Sequence, residues 1–294
     1  MSTSITADPT IRAKTARAPR KRALWRDPQG RISVLKSVTL AALFVPAIVI
    51  ATQWSLGLEG PRATTQVIHG FGLWTIRLLW LTLFISPLAA TLNWPRLLLI
   101  RRMLGVACAL YGATHLSLYI YDQQGQVLVV AAEIAKRFYL TIGFVALLGL
   151  GALAITSTDG WVRKLRGRWV TLHRLIYPIA LLALWHMALQ SKADISEAVW
   201  MAGLLSFLLG WRLLARAWRT RQLALWPLAI SAGLVAALAE AAWYAVRNHV
   251  DPLRVLAINI DPDNGIRPPL AAALLLAMIA TAAIARTLAR RRAR

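Results

Sequence analysis

Three of the five histidines fall inside apolar runs: His115, His173 and His186. An ionisable side chain in a membrane-length apolar segment is costly and marks a functional-site candidate by default. Neutral imidazole is a common ligand for metals and for haem iron. His173 and His186 share one stretch, Trp169 to Gln190 (WVTLHRLIYPIALLALWHMALQ), long enough to cross a bilayer as a helix. The thirteen steps between them span about 20 Å of helix axis. That is most of a hydrocarbon layer roughly 30 Å thick. One histidine then sits near each face, as in a ladder of redox centres. On an ideal helix the two side chains point about 140° apart, and Pro178 between them can kink or rewind the turns. The plainer alternative makes one histidine a ligand and the other a capping or interfacial residue.

The rest of the chain has to position these side chains, and its composition says how. Of 294 residues, 58% are hydrophobic and 13 are Trp. Apolar runs of about 18–20 residues recur along the chain, the pattern of a polytopic all-α membrane protein. The formal charge is +22, from 34 Lys+Arg against 12 Asp+Glu. The basic residues cluster in the gaps between apolar runs, so they read as topology signals facing anionic lipid and not as a nucleic-acid surface. Cys108 is the single cysteine, which excludes an internal disulfide and any cysteine-based zinc or iron–sulfur site.

Residues 1–37 are polar and basic without apolar periodicity, and read as a disordered cytoplasmic arm. Eight spans follow, at about 38–54, 71–90, 103–121, 138–156, 169–190, 198–215, 223–246 and 269–286. They divide into a six-span core over 38–221 and two added spans over 222–294. The arm and the loops after even-numbered spans are rich in Lys and Arg, including Arg216, Arg219 and Arg221. The loops after odd-numbered spans hold Glu59, Asp122, Glu133, Asp194, Glu197, Asp251, Asp261 and Asp263, with Lys136 and Arg137 as the exception. The positive-inside rule then puts both termini in the cytoplasm.

On this topology His115 lies roughly 18 Å from the cytoplasmic face, His186 roughly 24 Å and His173 roughly 5 Å. His115 and His186 are thus at similar depth on facing helices, the arrangement that lets a helical bundle ligate one cofactor from two sides. His173 has no histidine partner at its depth. It either binds a second haem with a weak or absent sixth ligand, or orients a different cofactor. Arg101 and Arg102 lie at that end. A guanidinium suits a haem propionate or a flavin phosphate, and it equally suits plain topology marking. His69 and His249 fall in outer loops, where a lone histidine is ordinarily solvated. Glu240 is an intramembrane carboxylate able to relay protons.

The runs RRMLGVACALYGATHLSLY, EIAKRFYLTIGF and ALAITSTDGWVRKLRGRWVTLHRLIYPIALLALWHMALQSK carry a resemblance. They resemble the MsrQ (YedZ) family, the haem-binding membrane subunits of periplasmic methionine sulfoxide reductase systems. More distantly they resemble the ferric reductase transmembrane domain. GLWTIRLLWLTLFISPL extends the likeness upstream, so that it covers about 40–215. The resemblance implies an electron-transfer subunit in the bacterial inner membrane, with b-type haem and FMN. Electrons would pass from a cytoplasmic flavin reductase or membrane quinol to a periplasmic molybdopterin methionine sulfoxide reductase. It assigns the haem histidines to His115, His173 and His186. Arg166 stands where the family usually has Leu, and the arm and last two spans lie outside the family's core. Two other classes stay open: a proton-coupled transporter or ferric-reductase-like oxidoreductase, and a structural membrane anchor. No inverted repeat supports a transporter, and no Rossmann-type glycine fingerprint supports nicotinamide binding.

Overall fold

The computed structural model describes residue 23 and residues 25–26, 29–191, 194–214 and 224–292, with side chains to residue 289. Most of the basic arm lies outside the described residues, as do Arg216, Arg219 and Arg221. The part of the arm that is described is ordered. Trp25 and Arg26 bond to residues 30–33: Ser33 N–H donates to Trp25 O at 2.9 Å and Arg26 donates to Gly30 O at 2.8 Å. Ser33 then caps α1 (Val34–Ser55), its hydroxyl accepting from Lys36 N–H, as a serine at this position should. The first helix therefore starts four residues earlier than the apolar run alone indicates.

α2 (Ala63–Thr91) and α3 (Leu98–Asp122) follow, each entered through a short 3-10 turn opened by a proline. Where a polar loop is expected after Asp122, Val127–Lys136 forms a helix, α4. Its apolar residues recur at helical spacing, and that periodicity outweighs its polar flanks. α5 (Phe138–Ile155) is the fourth expected span. The expected single helix over 169–190 is broken. After α6 (Asp159–Leu165), α7 (Gly167–His173) ends in a turn at Arg174–Leu175, and α8 (Ile176–Gln190) resumes the crossing. Pro178 has no N–H to give to the Arg174 carbonyl. Tyr177 N–H takes that carbonyl instead, at 3.2 Å, and the tightened turn splits the helix one turn ahead of the proline.

α9 (Ser196–Leu213), α10 (Leu225–Asn248), α11 (Pro252–Ile260) and α12 (Pro268–Arg292) complete an all-helical bundle. Among the described residues, seven helical stretches are long and apolar enough to cross a membrane: α1, α2, α3, α5, α7 with α8, α10 and α12. The sixth expected span, α9, falls outside that set because Ser196, Glu197 and Arg212 dilute its apolar run. It is nevertheless well enclosed, packed against α2, α8, α10 and α12. Small residues let it approach closely: a Cβ added at Gly203 would meet Ala272 at 3.0 Å and Ala236 at 3.1 Å. Close backbone approach is the main source of helix association where lipid removes the hydrophobic drive. Asp194 caps α9, its carboxylate accepting from Ser196 N–H at 2.8 Å. Hydrogen bonding to Ser196 holds this carboxyl below the usual carboxylate range. The cap is therefore in place at neutral pH and is lost as pH falls through that lowered value.

Glu240 anchors the last three helices to one another. It is 1% exposed. It accepts from Asn259 Nδ2 at 2.7 Å and from Arg267 at 3.0 Å. This is a buried ion pair, with the Arg267 side chain 31% exposed. Removing one partner of such a pair leaves a charge stranded. Glu240→Ala is therefore expected to destabilise the protein by about 3 kcal/mol, read as a lower thermal midpoint in detergent, whereas a surface pair such as Arg102–Asp159 should contribute little.

Candidate functional site

His115 on α3 and His186 on α8 line one cavity of about 1570 Å³. Its walls come chiefly from α1, α2, α3, α4, α5 and α8, with Glu197 of α9 at one edge, and most of the lining is apolar, with Leu73, Phe144, Leu147 and Leu150 among the lining residues. Each imidazole is fixed in the same way. His115 Nδ1 lies 2.7 Å from the Ile68 carbonyl of α2, and His186 Nδ1 lies 2.8 Å from the Tyr139 carbonyl of α5. A carbonyl can only accept, so Nδ1 carries the proton in both rings. That leaves each Nε2 with a free lone pair, the tautomer that a metal-ligating histidine holds through its second nitrogen.

Both rings sit where a neighbouring helix has no side chain. A Cβ on Gly72 would lie 2.9 Å from His115 Nδ1, and one on Gly143 would lie 2.6 Å from His186 Nδ1. Glycine at 72 and 143 is thus required by close approach. The Tyr139 ring stacks loosely on His186, at 6.3 Å between centroids and 22° between planes.

The break after His173 changes the relation of the two histidines on the fifth span. Both now meet α5 or the residue that follows it: His186 at Tyr139 near its start, His173 at Thr156 just past its end. Seventeen residues of helix separate these two contacts by about 26 Å. His173 does not line the cavity. Its Nε2 lies 3.2 Å from Thr156 Oγ1, and that hydroxyl donates to Ala152 O at 2.7 Å. The hydroxyl is left to accept, so Nε2–H of His173 donates to it. The other side of the ring is covered by Trp169, stacked at 3.9 Å and 25°.

The two arginines expected beside His173 part company. Arg101 is the charged neighbour of His173. Arg102 is paired with Asp159 of α6, and this guanidinium holds the Asp159 carboxyl below the usual carboxylate range. His69 lines the cavity and approaches Gln190 at 3.4 Å. His249 ends α10 in a left-handed turn at φ 55° and lies away from the cavity.

Several participants were not legible as such. Arg77, inside α2, pairs with Glu197 of α9 at 2.9 Å, and Glu197 lines the cavity. Arg77 also stands over the Trp74 ring at 5.3 Å. An arginine mid-span was the available signal. Gly72 and Gly143 interrupt apolar runs as isolated glycines, a recognised mark of close backbone approach.

A bis-imidazole site for a flat apolar macrocycle fits these residues. Two Nε2 lone pairs come from different helices, the tautomers are set by backbone carbonyls, and the walls are apolar.

Comparison with known proteins gives the lineage. Residues 71–184 match the family model described as ferric reductase like transmembrane component. No solved structure matches the chain significantly. Three relatives carry the name protein-methionine-sulfoxide reductase heme-binding subunit MsrQ. That of Xanthomonas campestris pv. campestris (strain 8004) is 42% identical over 188 residues, covering 62% of this chain and 86% of the relative. That of Xanthomonas axonopodis pv. citri (strain 306) is 42% identical over 189 residues, covering 61% and 87%. That of Azospira oryzae is 37% identical over 187 residues, covering 61% and 80%. With identity at this level over most of each relative's length, the chain belongs to the MsrQ family.

Proposed function

We propose that the protein is a membrane electron carrier in which His115 and His186 hold one b-type haem. The observation that carries this reading is the shared cavity, with both Nδ1 atoms tied to backbone carbonyls and both Nε2 atoms free. Haem, when bound, supplies one-electron redox chemistry. The protein's part is binding and environment. Ile68 and Tyr139 hold the ring orientations, Gly72 and Gly143 admit the imidazoles, and the mostly apolar walls suit a flat apolar ring. The Arg77–Glu197 pair sets fixed charges beside it.

Electrons leave at the acidic face near His186, toward a periplasmic molybdopterin methionine sulfoxide reductase. The names of the relatives and the alternation of loop charge support this assignment and an inner-membrane location with cytoplasmic termini. For the donor, the cavity wall favours membrane quinol over a cytoplasmic flavin reductase. Its α1 side runs from Thr39 to Gln53, about 21 Å of helix, and α1 is only loosely covered by its neighbours. A lipid-soluble donor therefore has an apolar way in. FMN has less support: Arg102 is already paired, and Arg101 and His173 line neither the histidine cavity nor the concavity between α6 and α7. His173 serves as a positioning residue or as the ligand of a second haem, after release of its bond to Thr156.

In inverted vesicles, a quinol analogue is expected to reduce the haem, with His173→Ala leaving the spectrum present. Reduction by a soluble flavin reductase alone, with no response to quinol, would reverse the donor assignment. Among the described residues, none beyond Glu197 lines the cavity. Removal of residues 222–294 is therefore expected to keep the reduced-minus-oxidised spectrum at a lower thermal midpoint. A stably inserted truncation without that spectrum would contradict this.

A further inference from the structure

The corner between α6 and α7 carries four cations within six residues: Arg163, Lys164, Arg166 and Arg168. With Leu165, Gly167 and Thr171 they surround a concavity of about 770 Å³. Its charge is poorly compensated. The neighbouring acid, Asp159, is bonded to Arg102 and also has Arg163 beside it, so one carboxylate faces two guanidiniums. None of the four cations forms an ion pair among the described residues. Like charges so close repel one another, and an anion seated among them relieves that repulsion.

The backbone at this corner is unusual too. Arg166 holds φ 48° and ψ −124°, a conformation that L side chains rarely adopt. Such strain persists only where the surroundings or a function over-determine it. Here it folds the end of α6 against the start of α7, so that cations from both limbs face one space.

The corner also carries the marks of the apolar–polar boundary. Lys164 Nζ lies 4.7 Å from the centre of the Trp161 ring, and Val162 and Val170 are exposed. A tryptophan and exposed valines beside lysine and arginine belong at the headgroup level of a bilayer.

We propose that this corner binds the phosphate of an anionic phospholipid headgroup. Guanidinium forks suit phosphate oxygens bidentately, Thr171 supplies a hydroxyl, and the exposed valines meet the first methylenes of the acyl chains. The site lies apart from the histidine cavity and does not depend on the haem reading.

The test titrates the full-length protein, purified in neutral detergent, with phosphatidylglycerol or phosphatidylcholine. Bound lipid is counted by native mass spectrometry. Wild type is expected to retain phosphatidylglycerol selectively. Changing Arg163, Lys164, Arg166 and Arg168 together to Gln should weaken that retention about tenfold or more. Changing Arg290, Arg291, Arg292 and Arg294 to Gln removes the same charge elsewhere and should leave it within about twofold. The size-exclusion profile and thermal midpoint in detergent serve as the folding control. In case the quadruple variant fails to insert, Arg166→Gly with Thr171→Val removes one cation and one hydroxyl while suiting the backbone, and should still weaken retention several-fold. Equal losses in the two quadruple variants would mean diffuse charge and overturn the proposal. Displacement of the lipid by millimolar inorganic phosphate or FMN, with equal binding when no anionic lipid is present, would overturn the lipid source.

Discussion

His115→Ala and His186→Ala are each expected to abolish the same haem component of the reduced-minus-oxidised spectrum. Each substitution removes one of the two Nε2 donors whose Nδ1 is tied to a backbone carbonyl, whereas His69, which also lines the cavity, approaches Gln190 through its own Nε2. A haem held by both imidazoles would lose one of its two protein ligands when either ring goes, so the expected effect is near-complete loss and not a partial shift. His173→Ala should leave this component in place, because His173 lies outside the cavity with its Nε2 directed at Thr156. The measurement is pyridine haemochrome per mole of protein alongside the spectrum. If the His115 and His186 variants removed different components, the two would belong to different haems.

Gly143→Leu is expected to be nearly as damaging, and Gly143→Ala intermediate. A Cβ at residue 143 would come within 2.6 Å of His186 Nδ1 and 2.8 Å of Cε1. The imidazole is a rigid ring, so relief requires α5 and α8 to separate or the ring to leave the Tyr139 carbonyl. Overpacking of this kind costs about 1–3 kcal/mol even where the surroundings yield. Here the movement also breaks the bond that sets the tautomer. Lower haem occupancy and a shifted midpoint potential should follow for Gly143→Ala, with a smaller effect for Gly72→Ala, where the approach is 2.9 Å. Gly151 on the same helix has nothing within 4 Å of an added Cβ, so Gly151→Ala is the matched control and should leave occupancy unchanged.

The sequence carries a great deal of this. Hydrophobic length and loop charge mark out the crossings, because the cost of exposing backbone and charge to lipid leaves few alternatives. The similar depth expected of His115 and His186 comes from counting residues at a fixed rise. Local hydrogen bonding is what counting misses. The presence of Pro178 is visible, but the break falls at Arg174–Leu175, where Tyr177 takes over an orphaned carbonyl. That shift brings His173 and His186 to the two ends of α5, which the ideal-helix angle does not foresee. Val127–Lys136 is hidden by its polar flanks, although its periodicity is helical. Pairings across long separations are beyond single-sequence reading altogether. Arg77 with Glu197, and Glu240 with Asn259 and Arg267, are chosen by which helices pack together. The two glycines behind the imidazoles are visible as residue types, and their purpose appears only when the facing helix is in place.

The claim that His115 and His186 bind the same iron is tested most directly by electron paramagnetic resonance of the oxidised protein with either histidine changed to methionine. Thioether in place of imidazole alters the field at the metal without emptying the site. The account predicts that His115→Met and His186→Met each convert the same low-spin signal, while His173→Met leaves that signal unaltered. Conversion of two different signals by the two variants, or loss of this signal in His173→Met alone, would contradict it.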